Sequence, residues 1–306
     1  MIVGLGENSV DHVYRLPHYP QPGGSASKVA IDRHDVRLGG QVATTLATCA
    51  RLGLPTRYLG TFGDDDHGRL IRQALDRRRI DTALALVRPA PNRYAVILLD
   101  ASQGERVVLW ERDARLALSA DDVDASWLEG ATLVHVDATD EDAAIALAQL
   151  ARERGVPVTC DLDRVTARTA ALLESVTIPI LAEHLPRQLT GEPDDERALR
   201  ALRREHHRQV VVTLGARGSA MLDGDQFIRA AGVPVPVVDS TGAGDVFRGA
   251  FIYALLRGDA PAAILRFANA AAAVSCTKPG AMDSAPTLDD IDAIIASAPR
   301  SRAAAP

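Results

Sequence analysis

Residues 238–249 read VDSTGAGDVFRG, a turn of small residues that leads directly into an apolar helix. Downstream of Asp245, apolar residues recur with the spacing of one buried helix face, at Phe247, Ala250, Phe251, Ala254 and Leu255. A cation and a glycine, Arg257 and Gly258, predict where this helix ends. Upstream, the β-branched run 233–238 predicts a strand whose prolines suit a sheet edge. The glycine turn is therefore expected at a helix N-terminus.

The turn Gly242-Ala243-Gly244 and the acid Asp245 that follows it together suit phosphoryl transfer. Glycines let the backbone approach a ligand closely, and the unpaired amides of a first helical turn attract anionic oxygens. An unperturbed aspartate has a pKa of about 3.9, so Asp245 is expected to be ionised at neutral pH and able to accept a proton. A hydroxyl that attacks a γ-phosphate needs both groups. Taken alone, so short a pattern more often marks only a tight turn and a helix cap.

The composition indicates a one-domain α/β protein. The chain has 306 residues, 47% hydrophobic and only 4% aromatic, so its core must consist of Ala, Val, Leu and Ile, which suits helices packed on a parallel sheet. A net charge of −6 argues against nucleic acids and anionic membranes as partners, because both select basic patches. Uncharged runs fall short of the about 20 residues that span a bilayer. The three cysteines are widely spaced and predict neither disulfides nor a zinc site. With no signal peptide recognised, a cytoplasmic location is expected.

Strands and helices alternate along the second half of the chain, which predicts a mainly parallel sheet with right-handed crossovers. The predicted elements include strands 131–136, 156–160 and 209–214 and a helix over 140–154. No linker or repeat divides the sequence, so residues 1–296 are expected to form a single domain. The Ala-, Pro- and Arg-rich tail 297–306 is expected to be disordered.

The motif 239–245, with Phe247 and the run 249–251 (GAF) behind it, closely resembles the C-terminal signature of the ribokinase-like (PfkB) carbohydrate kinases. Residues 37–41 (RLGGQ) and 57–68 (RYLGTFGDDDHG) resemble the N-terminal signature of the same family. Over almost the whole chain, the resemblance implies an α/β three-layer αβα sandwich with a mainly parallel central sheet and a small β-lid. In the family such a lid closes over the sugar and often pairs with a second subunit, which implies a homodimer. The lid segments expected in this chain are 12–38 and 92–112.

The resemblance also implies a sugar-binding region just past the first strand. Its residues would be Asp11, Gly39, Gly40, Gln41 and Thr44, together with the base Asp245. Thr44 stands where many members have an asparagine, so the choice of substrate stays open. Arg93, near the second lid segment, is a candidate to reach an anionic group on the substrate, with plain solvation as the alternative.

The run 213–218 (TLGARG) follows a strand and resembles the nucleotide loop of the family. The small-residue helix that begins near 266 resembles the helix that lies against adenine in relatives. The residues implied to contact ATP are Thr213, Gly215, Gly218, Thr241, Gly242, Gly244 and Asn269.

Two cations are implied by the resemblance. Residues 275–284 resemble a loop that encloses potassium in many members, with oxygen donors here from Asp239, Thr241, Ser275, Gly280 and Ser284. Mg²⁺ is expected to accompany ATP, yet the N-x-x-E motif that organises it in many members is missing, since Ala182 and Leu185 occupy its places. Glu183, one residue away, is the candidate substitute through water.

Two other acidic clusters have competing interpretations. The triple acid 64–66 is expected to cap a helix, although its composition also resembles a metal cluster. Asp161 and Asp163 follow a strand, and they are equally consistent with a ligand contact and with ordinary acids at a strand end.

These features predict an ATP-dependent kinase that phosphorylates a primary hydroxyl of a small sugar, with Asp245 as the general base. The motif pattern looks closer to the fructokinase and sulfofructose kinase branch than to ribokinase, which favours a ketose or a sugar acid. The arginine that the sulfofructose branch would place near Asp137 is missing. A nucleoside kinase on the same fold and a sugar-binding protein with weak or lost turnover stay open as alternatives. Neither a nucleic acid nor a membrane is expected as a partner.

Overall fold

Fifteen strands and nine α-helices make up the regular structure in residues 1–102 and 106–297, the part of the chain described by this computed structural model. The strands are β1 (Ile2–Leu5), β2 (Ser9–Leu16), β3 (Arg33–Gly39), β4 (Thr56–Leu59), β5 (Thr61–Gly63), β6 (Ile80–Asp81), β7 (Leu86–Arg88), β8 (Tyr94–Asp100), β9 (Arg106–Glu111), β10 (Leu133–Asp137), β11 (Val158–Leu162), β12 (Ile178–Leu181), β13 (Gln209–Thr213), β14 (Ser219–Asp223) and β15 (Gln226–Ala230). The helices are α1 (Gln41–Arg51), α2 (Asp66–Arg77), α3 (Glu141–Glu153), α4 (Thr169–Ser175), α5 (Leu185–Thr190), α6 (Asp195–Leu202), α7 (Ala243–Arg257), α8 (Pro261–Cys276) and α9 (Leu288–Ser297).

A nine-stranded central sheet has the order β15-β14-β13-β12-β11-β10-β1-β4-β6. Neighbours from β13 to β6 run parallel, and the hairpin β14-β15 adds two antiparallel strands at one edge. Because the parallel strands share one direction, their carboxyl ends meet along a single edge, where parallel sheets bind ligands. This edge receives the residues that follow β1, β10, β11 and β13.

Helices cover both faces of the central sheet, as the predicted three-layer sandwich requires. One core packs the sheet against α3 to α6 through residues such as Ala148, Leu172 and Leu199. On the other face, α1, α2, α7, α8 and α9 supply residues such as Leu46, Ile71 and Phe251. In residues 1–102 and 106–297, no helix is both long and apolar enough to cross a bilayer.

A second, four-stranded sheet of order β3-β2-β8-β9, here called the side sheet, forms from the segments that were expected to build a lid. Its strands β2 and β3 run antiparallel, β2 and β8 parallel, and β8 and β9 antiparallel. Residues 28–32, inside the first expected lid segment, form no strand, because β2 ends at Leu16 and offers no partner beyond the pairing of Arg15 with Arg33. Residues 103–105, inside the second expected lid segment, lie outside the described part of the chain, as does the tail after Ser297.

The strand predicted over 233–238 is wrong. This segment forms no strand and pairs with none in the described chain, and Val237 and Val238 are exposed. Pro234 and Pro236 lack the N–H donors that a sheet ladder needs, and the segment is instead held where the Val238 amide donates to the Cys276 carbonyl, 2.8 Å away. The glycine turn is therefore approached by irregular chain.

Helix α7, predicted from its apolar spacing, is confirmed and lies between α1 and α8. Its Gly249 allows close contact with α1, since a Cβ there would lie 2.6 Å from the Cβ of Thr48. The helix ends as predicted at Gly258, which adopts a left-handed conformation with φ of 80°. Packing on both sides fixes the N-terminus of α7 at the edge of the central sheet where the carboxyl ends meet.

Candidate active site

The glycine turn lies at the N-terminus of α7, as the sequence predicts. Gly242 is the residue before the helix and has a left-handed φ of 76°, while its carbonyl accepts a hydrogen bond from the Val246 amide at 2.9 Å. The amides of Gly244 and Asp245 belong to the first turn, where a helix offers no acceptor. These N–H groups and the positive end of the helix dipole form a place for an anionic oxygen.

Asp245 is half-buried and has an acidic neighbour, Asp161, at the carboxyl end of β11. The two carboxyl groups lie close enough for their charges to interact. Burial, and then the negative charge of Asp161, raise the pKa of Asp245 well above its ordinary value, although Arg248 opposes this effect.

Two further acids, Glu7 and Asp137, lie at the same edge of the sheet. The Glu7 amide donates to the Asp137 carboxylate at 2.7 Å, and a Cβ on Gly6 would lie 2.4 Å from the Asp137 carboxyl carbon, so only glycine fits there. Burial raises the pKa of Glu7 to about 7, against the effect of Arg93, and raises the pKa of Asp137 to about 6. The negative charge of Glu7 also raises the pKa of Asp245, so the acids interact.

Asp11 is buried on β2 and accepts a hydrogen bond from the Ser9 hydroxyl at 2.5 Å. A Cβ on Gly39 would lie 3.0 Å from an Asp11 carboxylate oxygen, so this glycine lies directly beside the acid. Asp11 lines a cleft with Thr241, next to the glycine turn, and with apolar Ile97 and Leu99 of β8. The structure thus brings the predicted sugar residue and the turn before α7 to one cleft.

Gly40, Gln41 and Thr44 lie at the start of α1, beside this cleft. Gly40 has φ of 99°, and a Cβ there would lie 2.4 Å from the Asn8 Cα, which leaves room only for glycine. Gln41 is half-buried. The Thr44 side chain is fully buried, and its hydroxyl has no hydrogen-bond partner among the described residues. Its methyl carbon lies 3.5 Å from the Cβ position of Gly242, so Thr44 packs against the turn.

Arg93 does not extend into solvent. Its guanidinium pairs with Glu7 at 2.8 Å and lies 5.7 Å from the ring centre of Trp110 on β9, which is 66% exposed. The side sheet therefore places the Trp110 ring near the ion pair of Arg93 with Glu7.

The predicted nucleotide loop follows β13. Gly218 has φ of 96°, and a Cβ there would lie 2.2 Å from the Ala230 carbonyl oxygen, whereas Gly215 has φ of 56° and more open space. The Thr213 hydroxyl donates to the Leu181 carbonyl at 3.4 Å. On α8, the Asn269 amide group donates to the carbonyls of Ala230 and Ala231, so it ties this helix to the chain after β15.

The predicted potassium ligands also converge. One Asp239 carboxylate oxygen accepts from the Thr241 amide and the other from the Gly280 amide, each at 2.9 Å. Burial alone would raise the pKa of Asp239, but these bonds outweigh it and lower the pKa. The hydroxyls of Ser275 and Ser284 are buried, and each donates to a helical or turn carbonyl at 2.8 Å.

Glu183 and the triple acid 64–66 lie apart from this oxygen cluster. Glu183 is exposed and forms an ion pair with Arg217 of the nucleotide loop at 2.7 Å. Asp65 caps α2, as predicted, by accepting from the Gly68 amide at 2.9 Å. In residues 1–102 and 106–297, no group of three or more His, Cys, Asp or Glu side chains is arranged to hold a metal ion.

The sequence reasoning gave no role to Arg248 or Glu7 and left Asp161 undecided. Arg248 and Asp161 form an ion pair of 2.6 Å with side chains 4% and 1% exposed. The available signal was a cation three residues after Asp245 in a helix that is otherwise apolar over 246–252. A charge in such a position needs a buried partner.

Comparisons with known proteins agree with this geometry. The model of the pfkB family carbohydrate kinases matches residues 9–288. A ribokinase from Arabidopsis thaliana is 31% identical over 301 residues, covering 93% of this chain and 78% of the relative. A 5-dehydro-2-deoxygluconokinase from Shouchella clausii is 26% identical, covering 84% of this chain and 86% of the relative. The solved structure of Arabidopsis thaliana ribokinase complexed with ribose and ATP superposes with a TM-score of 0.83 at 28% identity, covering 96% of this chain and 98% of that one. The chain is therefore a carbohydrate kinase and belongs to the pfkB family.

Proposed function

We propose that this protein transfers the γ-phosphoryl group of ATP to a primary hydroxyl of a small sugar, with a ketose or a sugar acid as the favoured class. The observation that carries the proposal is the half-buried Asp245 carboxyl at the N-terminus of α7, beside the first-turn amides. Asp245 takes the proton of the attacking hydroxyl, and the amides of Gly242 to Asp245 stabilise charge on the transferring phosphoryl group. Phosphoryl transfer needs little more than such positioning and charge stabilisation.

The sugar lies between Asp11, the Gly39-Gly40 turn and the side sheet in this proposal. Asp11 is a buried carboxylate that accepts hydrogen bonds from hydroxyls with defined geometry. Arg93, already oriented by Glu7, borders the same region and favours a substrate with an anionic group. The relatives named above act, by their names, on ribose and on a deoxy keto-gluconate, which fits a small carbohydrate without choosing between these classes.

ATP lies along the loop 213–218 and α8. The left-handed glycines of the loop let the protein backbone approach the nucleotide closely. The relative crystallised with ribose and ATP supports ATP as the phosphoryl donor. The side sheet acts as a lid that excludes water, which prevents transfer to water in place of the sugar.

The predicted metal ligands of this chain fit a monovalent cation better than they fit Mg²⁺. Asp239 joins the turn at Thr241 to the loop at Gly280, and the two buried serine hydroxyls keep lone pairs free, so the donors are the oxygens that K⁺ prefers. Bound there, K⁺ would stabilise the active shape of the turn. Glu183 does not fit a Mg²⁺ site, because its carboxylate is exposed and engaged by Arg217. Mg²⁺ carried by ATP stays an expectation from phosphoryl-transfer chemistry.

A substrate panel tests the proposed function. The purified protein is incubated with ATP and with ketoses, aldoses, sugar acids and nucleosides, and ADP production is measured by a coupled assay, with D245N as the control for contaminating kinases. We expect activity on a ketose or a sugar acid that D245N lacks. Activity on nucleosides alone would make the protein a nucleoside kinase. Tight ATP binding with no ADP formed from any compound would indicate a sugar-binding protein.

We further propose a homodimer that forms through the side sheet. Strand β9 is exposed along its whole length and carries four apolar residues between 41% and 66% exposed: Val107, Val108, Leu109 and Trp110. Such a row of exposed apolar residues on an edge strand favours pairing with another chain. Sedimentation should show a dimer for the parent and a monomer for Leu109→Arg, while Val87→Arg, at a similarly exposed site on β7, should stay dimeric. A monomeric parent would contradict this assembly.

A further inference from the structure

Arg248 is a buried cation under the catalytic end of α7. Its side chain is 4% exposed, and it pairs with an Asp161 side chain that is 1% exposed, at 2.6 Å. A buried ion pair contributes little net stability compared with apolar residues of similar size, because both charges lose their hydration. The neighbours of Arg248 in α7 are apolar, and Phe247 and Phe251 show that the helix can be packed without charge. Stability alone therefore does not account for this pair.

The pair is placed by the helix geometry of the first turn. Arg248 follows Gly244 by four residues and Asp245 by three, so its side chain lies on the face below both. A Cβ on Gly244 would lie 2.8 Å from a terminal nitrogen of Arg248, and the other terminal nitrogen contacts Asp161. Gly244 thus serves a second purpose, since it admits the guanidinium beneath the turn. The negative charge of Asp161 in turn acts on Asp245.

We propose that Arg248 and Asp161 are positioning residues for the general base, in which Arg248 holds the Asp161 carboxylate beneath the first turn of α7 and the pair fixes the charge beside Asp245. This proposal rests on the proposed role of Asp245 in phosphoryl transfer. Neither Arg248 nor Asp161 needs to touch the sugar or ATP.

The proton balance of the cycle follows from this arrangement. Asp245 must be ionised before it can act as a base. As the sugar oxygen bonds to the γ-phosphorus, its proton passes to Asp245, and the bond from that phosphorus to the bridging oxygen breaks, leaving its electron pair on ADP. Asp245 is then protonated, and it returns to the ionised form by releasing this proton to solvent.

The charges around the pair give the two positioning residues opposite effects. Asp161 raises the pKa of Asp245 and Arg248 lowers it, while Glu7 raises it from the end of β1. Asp137 and Asp163 both raise the pKa of Asp161. On β10, burial and Arg248 lower the pKa of His135 to about 3, so this imidazole is neutral at physiological pH. Arg248 is thus the cation that the pair depends on in this region.

The test is the pH dependence of kcat/KM for the sugar, measured at saturating ATP in the parent, Asp161→Asn and Arg248→Met. Activity requires ionised Asp245, so the acid limb of the profile reports its pKa. Asp161→Asn removes a negative neighbour and adds an amide donor, so the limb should move to lower pH by about one unit or more. Arg248→Met removes the positive neighbour, so the limb should move to higher pH by a similar amount. Arg248→Lys keeps the charge and should restore the parent limb.

Shifts of opposite sign cannot come from a general loss of structure, which would lower kcat in both variants and leave the limb in place. Asp81→Asn is the matched control, because it breaks an ion pair of 2.8 Å with Arg57 away from the site and should leave the limb unmoved. Limbs that stay in place, or move in the same direction, in Asp161→Asn and Arg248→Met would overturn the positioning role while leaving the kinase function intact. Should Arg248→Met fail to fold, two measurements on Asp161→Asn decide the same point. One is the acid limb of its pH profile, and the other is the titration of the Asp245 carboxyl carbon by NMR, each compared with the parent. Full activity of D245N would instead overturn the proposed function itself.

Discussion

Replacing Asp245 by asparagine should lower kcat for sugar phosphorylation by about 10²- to 10⁴-fold, the usual cost of removing a general base. Asparagine has nearly the same shape as aspartate but carries no charge. It cannot accept the proton of the attacking hydroxyl. The change therefore removes the chemistry while keeping the shape of the side chain.

The stability of Asp245→Asn should separate lost chemistry from lost structure. The folded-state pKa of Asp245 is raised, so its carboxyl destabilises the folded protein as pH rises from the unfolded pKa of about 3.9 up to the folded value. Asparagine has no charge to bury. At neutral pH the variant should thus melt at the same temperature as the parent or higher, in the same preparation that has lost its activity.

A neighbouring acid provides the control for this experiment. Asp163 comes directly after β11, the strand that contains Asp161. It is exposed and pairs with Arg164 at 3.3 Å. Asp163→Asn should therefore keep nearly the parent kcat, since exposed ion pairs contribute little. If Asp245→Asn, folded and binding ATP, phosphorylated the sugar at the parent rate, Asp245 would not be the base.

Local features of the sequence were enough to predict the mainly parallel sheet and the turn before α7, whereas the three layers were implied by the family resemblance. Alternating strands and helices placed β10, β11 and β13 close to their observed bounds. The apolar spacing after Asp245 and the closing glycine placed α7, because one helix face and one cap are properties of neighbouring residues.

Long-range pairing is what the sequence could not reveal. Arg248 and Asp161 are far apart in sequence and meet only because the parallel sheet brings the end of β11 under α7. The motif contains Arg248 but not Asp161, so it does not reveal the acid that raises the pKa of Asp245. The prediction of a strand at 233–238 was wrong for a related reason. Its β-branched residues favour a strand, but its prolines lack the N–H donors that pairing with another strand requires.

A second large effect is expected from Gly242→Ala, which should lower kcat by about 10²- to 10³-fold, the range seen when a donor to a developing oxyanion is lost. Gly242 has a left-handed φ of 76°, and an added Cβ would lie 2.6 Å from the Cβ and 2.8 Å from the Cα of Ala281. No real Cβ tolerates such distances, so the turn must move away from the loop at 280–281. The amides of the first turn move with it and no longer point at the transferring phosphoryl group.

Gly258→Ala is the matched control, because it lies at the other end of the same helix with nearly the same φ, 80°, but faces open space. Both variants carry the cost of a left-handed alanine, about 1 kcal/mol of folding free energy. Only Gly242→Ala also meets a steric clash. Thermal melts should therefore show a loss of stability in both proteins, while kcat falls steeply in Gly242→Ala alone. Equal kcat values in the two variants would mean that the turn geometry does not matter for transfer, and the amides of α7 would then have no part in stabilising the phosphoryl group.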